Sequence, residues 1–399
     1  YLLIKRYEPR MVLFGAGLLL ACVAGKPAGV LVEFSKSMKQ SGVFEVIIAS
    51  MGFAAVVKMT ECDKHLIAVF VKVLKRMGPL LIVGVALATT VVNISIPSAA
   101  GTSAAVGVIL IPLLISSGIP APIAAAAILA GLYGGNLNPG HVHPTIVAEL
   151  AKSSSMQFVS TVAVPLLTSV VASSLVLMAL SVWVTKHQKK VGQEVVQCEE
   201  QSALIDFKLN YLYAVLPLLP LIILILGNAN VIPALKVPVS HAMIIGAVIT
   251  LIVTRANPGN FTKAFFNGMG DSFGNIFGLI VTANIFVAGL QALGLIKMLI
   301  NYMTTSPAIA KAAAIFGPLI MAVISGSGEA ASIAFNTAVS VHAEQFGMDT
   351  MNMGAIAVLS GGIGRSMSPV AGCVIICAGI AKVNPLDVIK YSSVAMLAA

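Results

Sequence analysis

Long apolar runs, broken by a few short polar stretches, dominate the chain. No Asp, Glu, Lys or Arg occurs in residues 77–148, 153–185, 209–235, 237–254 or 272–296. A bilayer core needs roughly 20 apolar residues per helix, so each stretch can hold a span or most of one, and the first must hold several. The runs are continuous, as in VPLLTSVVASSLVLMALSVWV (164–184), without the period-two alternation of a transmembrane barrel. Backbone groups in lipid must be satisfied within the segment, so such runs predict helices. Spans are expected near 11–25, 43–60, 78–93, 120–152 (interrupted), 158–184, 210–227, 237–254, 272–292, 306–323 and 347–381 (interrupted), with another starting at 385. Segments 64–76 and 293–303 are shorter and charged, and read as interfacial or connecting helices. Residues 185–208 are the one long polar stretch. They predict a linker between an N-terminal transmembrane half (1–184) and a C-terminal half (209–399).

The halves resemble each other. IPSAAGTSAA (96–105) carries Ser98 and Gly101 where ISGSGEAASI (324–333) carries Ser325 and Gly328, an offset of 227. The same offset brings Gly134-Gly135 onto Gly361-Gly362. Each glycine pair leads into a polar, Pro-containing stretch, a small-residue helix, a turn with a lysine (Lys152, Lys382) and another apolar run. Four spans fall between the two interrupted helices if 306–343 folds back as a hairpin. The halves are then expected to be inverted repeats, as in many secondary transporters. The chain opens with YLLIKRYEPR, the tail of a span and a charged loop, shows no signal peptide and closes at Ala399 inside an apolar run; both ends look trimmed, and at least one flanking helix is expected beyond them.

Composition strengthens the membrane reading: 58% of the 399 residues are hydrophobic and 10% charged, against about 25% charged in soluble domains. The net charge of +9 comes from basic residues clustered at span ends: Lys5, Arg6 and Arg10; Lys72, Lys75 and Arg76; Lys186, Lys189 and Lys190. That is the pattern of cytoplasmic loops. With no interleaved aromatic and basic stripe, nucleic acid is not an expected partner. Cys373 and Cys377 share a helix face at i, i+4, but nothing nearby completes a metal or redox site; small apolar packing is the expectation for both.

Four polar breaks interrupt the apolar sequence: Asn93–Ser103, Gly134–Pro144, Ser325–Glu329 and Gly361–Pro369. Gly and Pro at membrane depth open helices where a cavity or protein surrounds them. Half-helix N-termini offer free N–H groups suited to a carboxylate. The alternative for any one break is close helix packing through small residues. Four in a repeated order predict a substrate or ion site lined by Ser98, Thr102, Ser103, Asn136, Asn138, Ser325, Ser327, Arg365, Ser366 and Ser368. Arg365 has no acidic residue within fifteen positions, and a membrane-embedded cation tends to be functional. Its flat guanidinium suits a carboxylate, although an ion pair with Glu329 remains open. Glu329 is a candidate for proton or Na⁺ coupling, and His141, beside His143, for proton transfer. Asp271 and Asn275, at the start of a span, read as structural. No catalytic residue, metal site or organic cofactor is expected. An intramembrane serine hydrolase built on Ser327 and His141 would lack an oxyanion signature. A channel would want repeated selectivity rings.

Residues GRSMSPVAGCVIICAGIAKVNPLDVIKYSS (364–393), SGSGEA and PSAAGTSAAVGVILIPLL (97–114) resemble the anaerobic C4-dicarboxylate carriers of the DcuC type, most specifically over 324–393. The resemblance implies secondary transport of succinate, fumarate or malate by exchange, symport or efflux, in the bacterial inner membrane during anaerobic growth. It also implies two re-entrant hairpins, an elevator-like moving domain and a homodimer. Glu329, where the family is expected to have an uncharged residue, and GGNLNPGHVHP depart from the pattern. A different small carboxylate, such as gluconate or a monocarboxylate, is the alternative cargo.

Overall fold

The computed structural model describes residues 7–39, 41–191, 208–304 and 307–399. Among the described residues every regular element is helical. The first half runs α1 (Pro9–Val23), α2 (Ala28–Ser37), α3 (Ser41–Met59), α4 (Cys62–Leu74), α5 (Leu81–Ser95), α6 (Ala99–Ser116), α7 (Ala121–Ala130), α8 (Val142–Leu150) and α9 (Ser155–Val191). The second runs α10 (Tyr211–Val215), α11 (Leu219–Asn228), α12 (Val239–Thr254), α13 (Pro258–Ser272), α14 (Gly278–Ala292), α15 (Leu295–Thr304), α16 (Pro307–Ser325), α17 (Gly328–Ala338), α18 (Thr350–Ser366), α19 (Gly372–Ile380) and α20 (Pro385–Leu397). Five stretches are long and apolar enough to cross a bilayer: Ala99–Ser116, Ser155–His187, Tyr211–Asn228, Pro258–Ala292 and Ala308–Ser325. The protein is therefore a polytopic, all-helical membrane protein.

Several boundaries differ from the sequence expectations. Ala99–Ser116, to which no span was assigned, is a full helix, because Pro97 and Ser98 start a new helix in place of a disordered break. α9 continues to Val191, into the expected linker, and residues 192–207 lie outside the described residues. The span expected at 272–292 begins earlier: α13 and α14 join through a π-turn at Phe273–Phe277, whose Gly274 carbonyl accepts from Arg10 Nη1.

Matching local features of the two halves stand 229–230 residues apart, against the 227 read from the sequence. Ser98 caps α6 by accepting from Gly101 N (3.2 Å), and Ser327, not Ser325, caps α17 by accepting from Ala330 N (3.1 Å). Lys152 (φ 50°) and Lys382 (φ 54°), 230 positions apart, both lie in the left-handed region that side chains rarely adopt. Each closes a helix with the same pair of bonds: Lys152 N to Glu149 O and Ser153 N to Ala148 O, Lys382 N to Gly379 O and Val383 N to Ala378 O. This is the Schellman end with lysine in the usual glycine position. At the same spacing, Gly131 and Gly134 correspond to Gly361 and Gly364.

The chain forms two compact units. Unit one comprises residues 1–51, 139–162 and 267–368; unit two comprises 52–138, 163–266 and 369–399. The boundaries Asn138/Pro139 and Ser368/Pro369 also stand 230 apart. Each unit thus takes the hairpin of one half (α5–α6 or α16–α17) and the second part of the broken helix of the other (α19 or α8). Repeat halves and compact units are therefore different partitions of the chain.

Lipid offers no hydrophobic drive for helix pairing, so close packing through small residues holds such units together. In unit one, α1 and α14 cross where a Cβ on Gly17 would stand 2.6 Å from the Ile285 carbonyl oxygen. Leu13, Phe44, Ile146, Phe277, Ile285 and Ile333 form its core, with the Phe44 and Phe277 rings 3.8 Å apart. In unit two, α7 is central: every residue from Ile123 to Ala130 is inaccessible. Its alanines let α5, α6, α19 and α20 approach.

Candidate functional site

In unit two the turn between α5 and α6 is latched from within. Asn93 Nδ2 donates to the Ile96 carbonyl (3.0 Å) and to Thr102 Oγ1 (3.0 Å), and Thr102 Oγ1 donates to Ile96 O (2.8 Å). Asn93 Oδ1 accepts from Gly135 N (2.7 Å), tying the turn to the 3₁₀ segment Gly134–Leu137. Asn138 Nδ2 donates to Ile94 O (2.8 Å). Thr102 and Ser103 are fully buried, Asn136 and Asn138 nearly so. Gly134 sits on the Thr90 carbonyl with no room for a Cβ. Asn93 is the organising residue here, and the sequence reading did not place it among the site residues. Its signal is an amide inside an apolar helix, three positions before the turn.

Unit one builds a different site on the same frame. α16 ends at Ser325, Gly326 turns with φ +72°, and α17 begins at Gly328. Ser327 N donates to Ser325 Oγ (3.2 Å). Since Ser327 caps only Ala330, the N–H groups of Gly328 and Glu329 have no intrahelical acceptor. Gly328 packs directly on α18: a Cβ there would lie 2.6 Å from the Gly361 carbonyl oxygen and 3.2 Å from Arg365 Cβ. Gly361 in turn abuts Ser332, whose hydroxyl donates to Ala357 O (3.2 Å), and Gly364 abuts the Leu319 carbonyl. Arg365, partly exposed, lies in the last turn of α18, where helix electrostatics favour a cation. Glu329 lies in the first turn of α17, where they favour a carboxylate.

The broken helix adds two imidazoles. His141 is the N-cap of α8, with its carbonyl accepting from Thr145 Oγ1 (2.7 Å). His141 Nε2 lies 3.9 Å from Glu329 Oε1, and the His141 and His143 rings are 5.2 Å apart, both nearly buried. Ser366 and Ser368 are fully buried, and the Ser366 hydroxyl donates to Gly362 O (3.3 Å). Of the predicted residues, Ser325, Ser327, Glu329, Arg365, Ser366, Ser368 and His141 thus belong to unit one, while Ser98, Thr102, Ser103, Asn136 and Asn138 belong to unit two. Asn275 lies in the π-turn and accepts weakly from Arg10 Nη1 (3.4 Å). Among the described residues, no three His, Cys, Asp or Glu side chains are arranged to hold a metal ion.

Residues 19–399 match the C4-dicarboxylate anaerobic carrier family, DcuC. A putative uncharacterized transporter of Haemophilus influenzae is 37% identical over 66% of this chain and 96% of its own length. The probable anaerobic C4-dicarboxylate transporter DcuC of Vibrio cholerae is 28% identical over the whole chain and 92% of its own length. The anaerobic C4-dicarboxylate transporter DcuC of Escherichia coli is 26% identical over 99% of the chain and 90% of its own length. With its apolar spans and broken helices, this chain is a membrane transporter, not an enzyme, and it belongs to the DcuC family of C4-dicarboxylate anaerobic carriers.

Proposed function

We propose that the protein carries C4-dicarboxylates, the class of succinate, fumarate and malate, across the bacterial inner membrane by exchange or ion-coupled transport. The observation that carries this reading is the placement of Arg365 against the first turn of α17 in unit one. A planar guanidinium grips a carboxylate through two parallel hydrogen bonds, and the Gly328 and Glu329 N–H groups add donors of the kind that bind anions at helix starts. The two DcuC relatives are named for C4-dicarboxylate transport, which supports the same cargo.

The architecture is an inverted duplication working as an elevator. In support, the hairpin, broken helix and Schellman end recur at 229–230 residues, and corresponding segments of the halves exchange compact units. Two bodies, each with its own hairpin, are what a moving domain and a scaffold require. A homodimer is the assembly we assign, with H⁺ or Na⁺ as the coupling ion.

A second reading has one observation in its favour. Glu329 adds a negative charge beside Arg365, which favours a less charged carboxylate such as gluconate or a monocarboxylate. Counterflow in proteoliposomes tests both. Labelled fumarate or succinate is expected to enter vesicles preloaded with unlabelled dicarboxylate, and parallel runs with and without Na⁺ separate the coupling ions. Exchange of gluconate or a monocarboxylate, with no exchange of any C4-dicarboxylate, overturns the assignment.

A further inference from the structure

We infer that the His141–Glu329 pair of unit one is a proton-binding site that fills as the dicarboxylate binds, so that cargo and proton load together. The inference rests on the dicarboxylate reading above and adds the identity and seat of the coupling ion.

The geometry is that of an electrostatically coupled pair. His141 Nε2 and Glu329 Oε1 stand 3.9 Å apart, beyond a hydrogen bond but close enough for a charge on one to govern the other. Neither group is free to drift. The His141 carbonyl receives both Thr145 Oγ1 and Thr145 N, fixing the residue as the start of α8. Glu329 is held in the first turn of α17, with its preceding residue pressed on α18. The His141 side chain is 7% exposed and that of Glu329 32%, so the pair is sheltered and reached from one side.

The surrounding charges set the direction of the effect. α8 contributes His141 and His143, with Glu149 exposed two turns further along. α18 contributes Arg365, within Coulombic reach of His143 and Glu329. α16 brings only Lys311, exposed near its opposite end, the 3₁₀ segment Ser340–Phe346 brings His342 and Glu344, and α14 has no charged residue. With neutral imidazoles, Arg365 and Glu329 cancel. A dianion arriving at Arg365 leaves two uncompensated negative charges in a low-dielectric setting, which is costly. One proton on the pair halves that excess. By linkage, the dianion must then raise the proton affinity of the pair, and the proton must raise the affinity for the dianion by the same factor. A sodium ion fits less well: it wants several oxygen ligands, and here the one carboxylate has an imidazole nitrogen 3.9 Å away and a guanidinium within Coulombic reach.

The test uses fumarate, whose own carboxylates stay ionised across the range examined. Fumarate binding to purified protein, read as thermal stabilisation from about pH 6 to pH 8, is expected to tighten by up to about tenfold per unit fall in pH, the limit for one linked proton. Glu329→Gln is expected to flatten that profile. In weakly buffered solution, saturating fumarate is expected to draw about one proton per site onto the wild-type protein, a readout that needs no variant. A flat wild-type profile, no proton uptake, or an unchanged slope in Glu329→Gln overturns the proton site while leaving the dicarboxylate reading intact. No fumarate-dependent stabilisation at any pH overturns the dicarboxylate reading itself.

Discussion

The α5–α6 turn of unit two and the α16–α17 turn of unit one share a backbone plan and differ in what their side chains do with it. Both begin the second helix with a capping serine, Ser98 or Ser327. Both face a broken helix through a glycine pair, Gly131 and Gly134 or Gly361 and Gly364, that rests on carbonyls of the hairpin. In unit two an amide closes the turn. Asn93 uses both ends of its amide on Ile96, Thr102 and Gly135. In unit one, Val323 stands 230 positions after Asn93 and cannot make that latch, and Arg365 stands 230 positions after Gly135. The charged groups there are Arg365, Glu329 and His141, with His141 Nε2 3.9 Å from Glu329 Oε1. The two turns thus share a backbone plan, while charge stands in unit one where unit two has an amide latch.

The largest test of that contrast is at Arg365. Arg365→Ala is expected to abolish dicarboxylate exchange and fumarate-dependent stabilisation in a protein that still inserts. Arg365→Lys, which keeps charge but loses the two-pronged geometry, is expected to weaken binding by about 1–3 kcal/mol. If Arg365→Ala fails to fold and adding Glu329→Gln restores it, the arginine is a structural partner of Glu329 and the contrast collapses. Next in size are the glycine contacts. Gly134→Val and Gly364→Val push a side chain into the Thr90 and Leu319 carbonyls and are expected to cost about 1–3 kcal/mol or more each. Gly372→Ala, with nothing within 4 Å of the new methyl, is expected to stay within about 0.5 kcal/mol of wild type. Similar losses in detergent thermal melts for Gly134→Val and Gly364→Val would confirm a shared scaffold.

Asn93→Ala strands the buried Gly135 N–H, while the Ile96 carbonyl keeps its bond from Thr102 Oγ1. A loss of about 1–3 kcal/mol in thermal stability is expected, with the pH profile of fumarate binding keeping its wild-type slope. A changed slope would mean that unit two also takes part in coupling. The smallest effects belong to the caps. Ser98→Ala and Ser327→Ala are each expected to cost about 1 kcal/mol. Clearly unequal losses would break the equivalence of the two turns.

The amino-acid sequence alone determined the membrane class, the helical content and the neighbourhood of the breaks, although α18 runs on to Ser366 through most of the expected break at Gly361–Pro369. Each follows from local physics: uncharged stretches long enough for a bilayer, and Gly, Pro and hydroxyl residues where a helix must open. It also marked Arg365, since an isolated cation in such a stretch is conspicuous without any fold. It misplaced the repeat register by two to three residues, because matching small residues such as Ser98 and Ser325 is ambiguous until capping bonds select Ser327. It left 99–116 without a span, because a capped helix start and a loop share the residues Pro and Ser. Only the tertiary structure decided that residues 139–162 pack with 267–368 and that 369–399 pack with 52–138. That exchange brings together helices far apart in sequence, as where Gly354 meets the Val147 side chain and Gly107 the Ile380 side chain, and no local pattern encodes which residue meets which. The meeting of His141 with Glu329 has the same origin: 188 positions apart, they become neighbours only when α8 joins the hairpin of the other half.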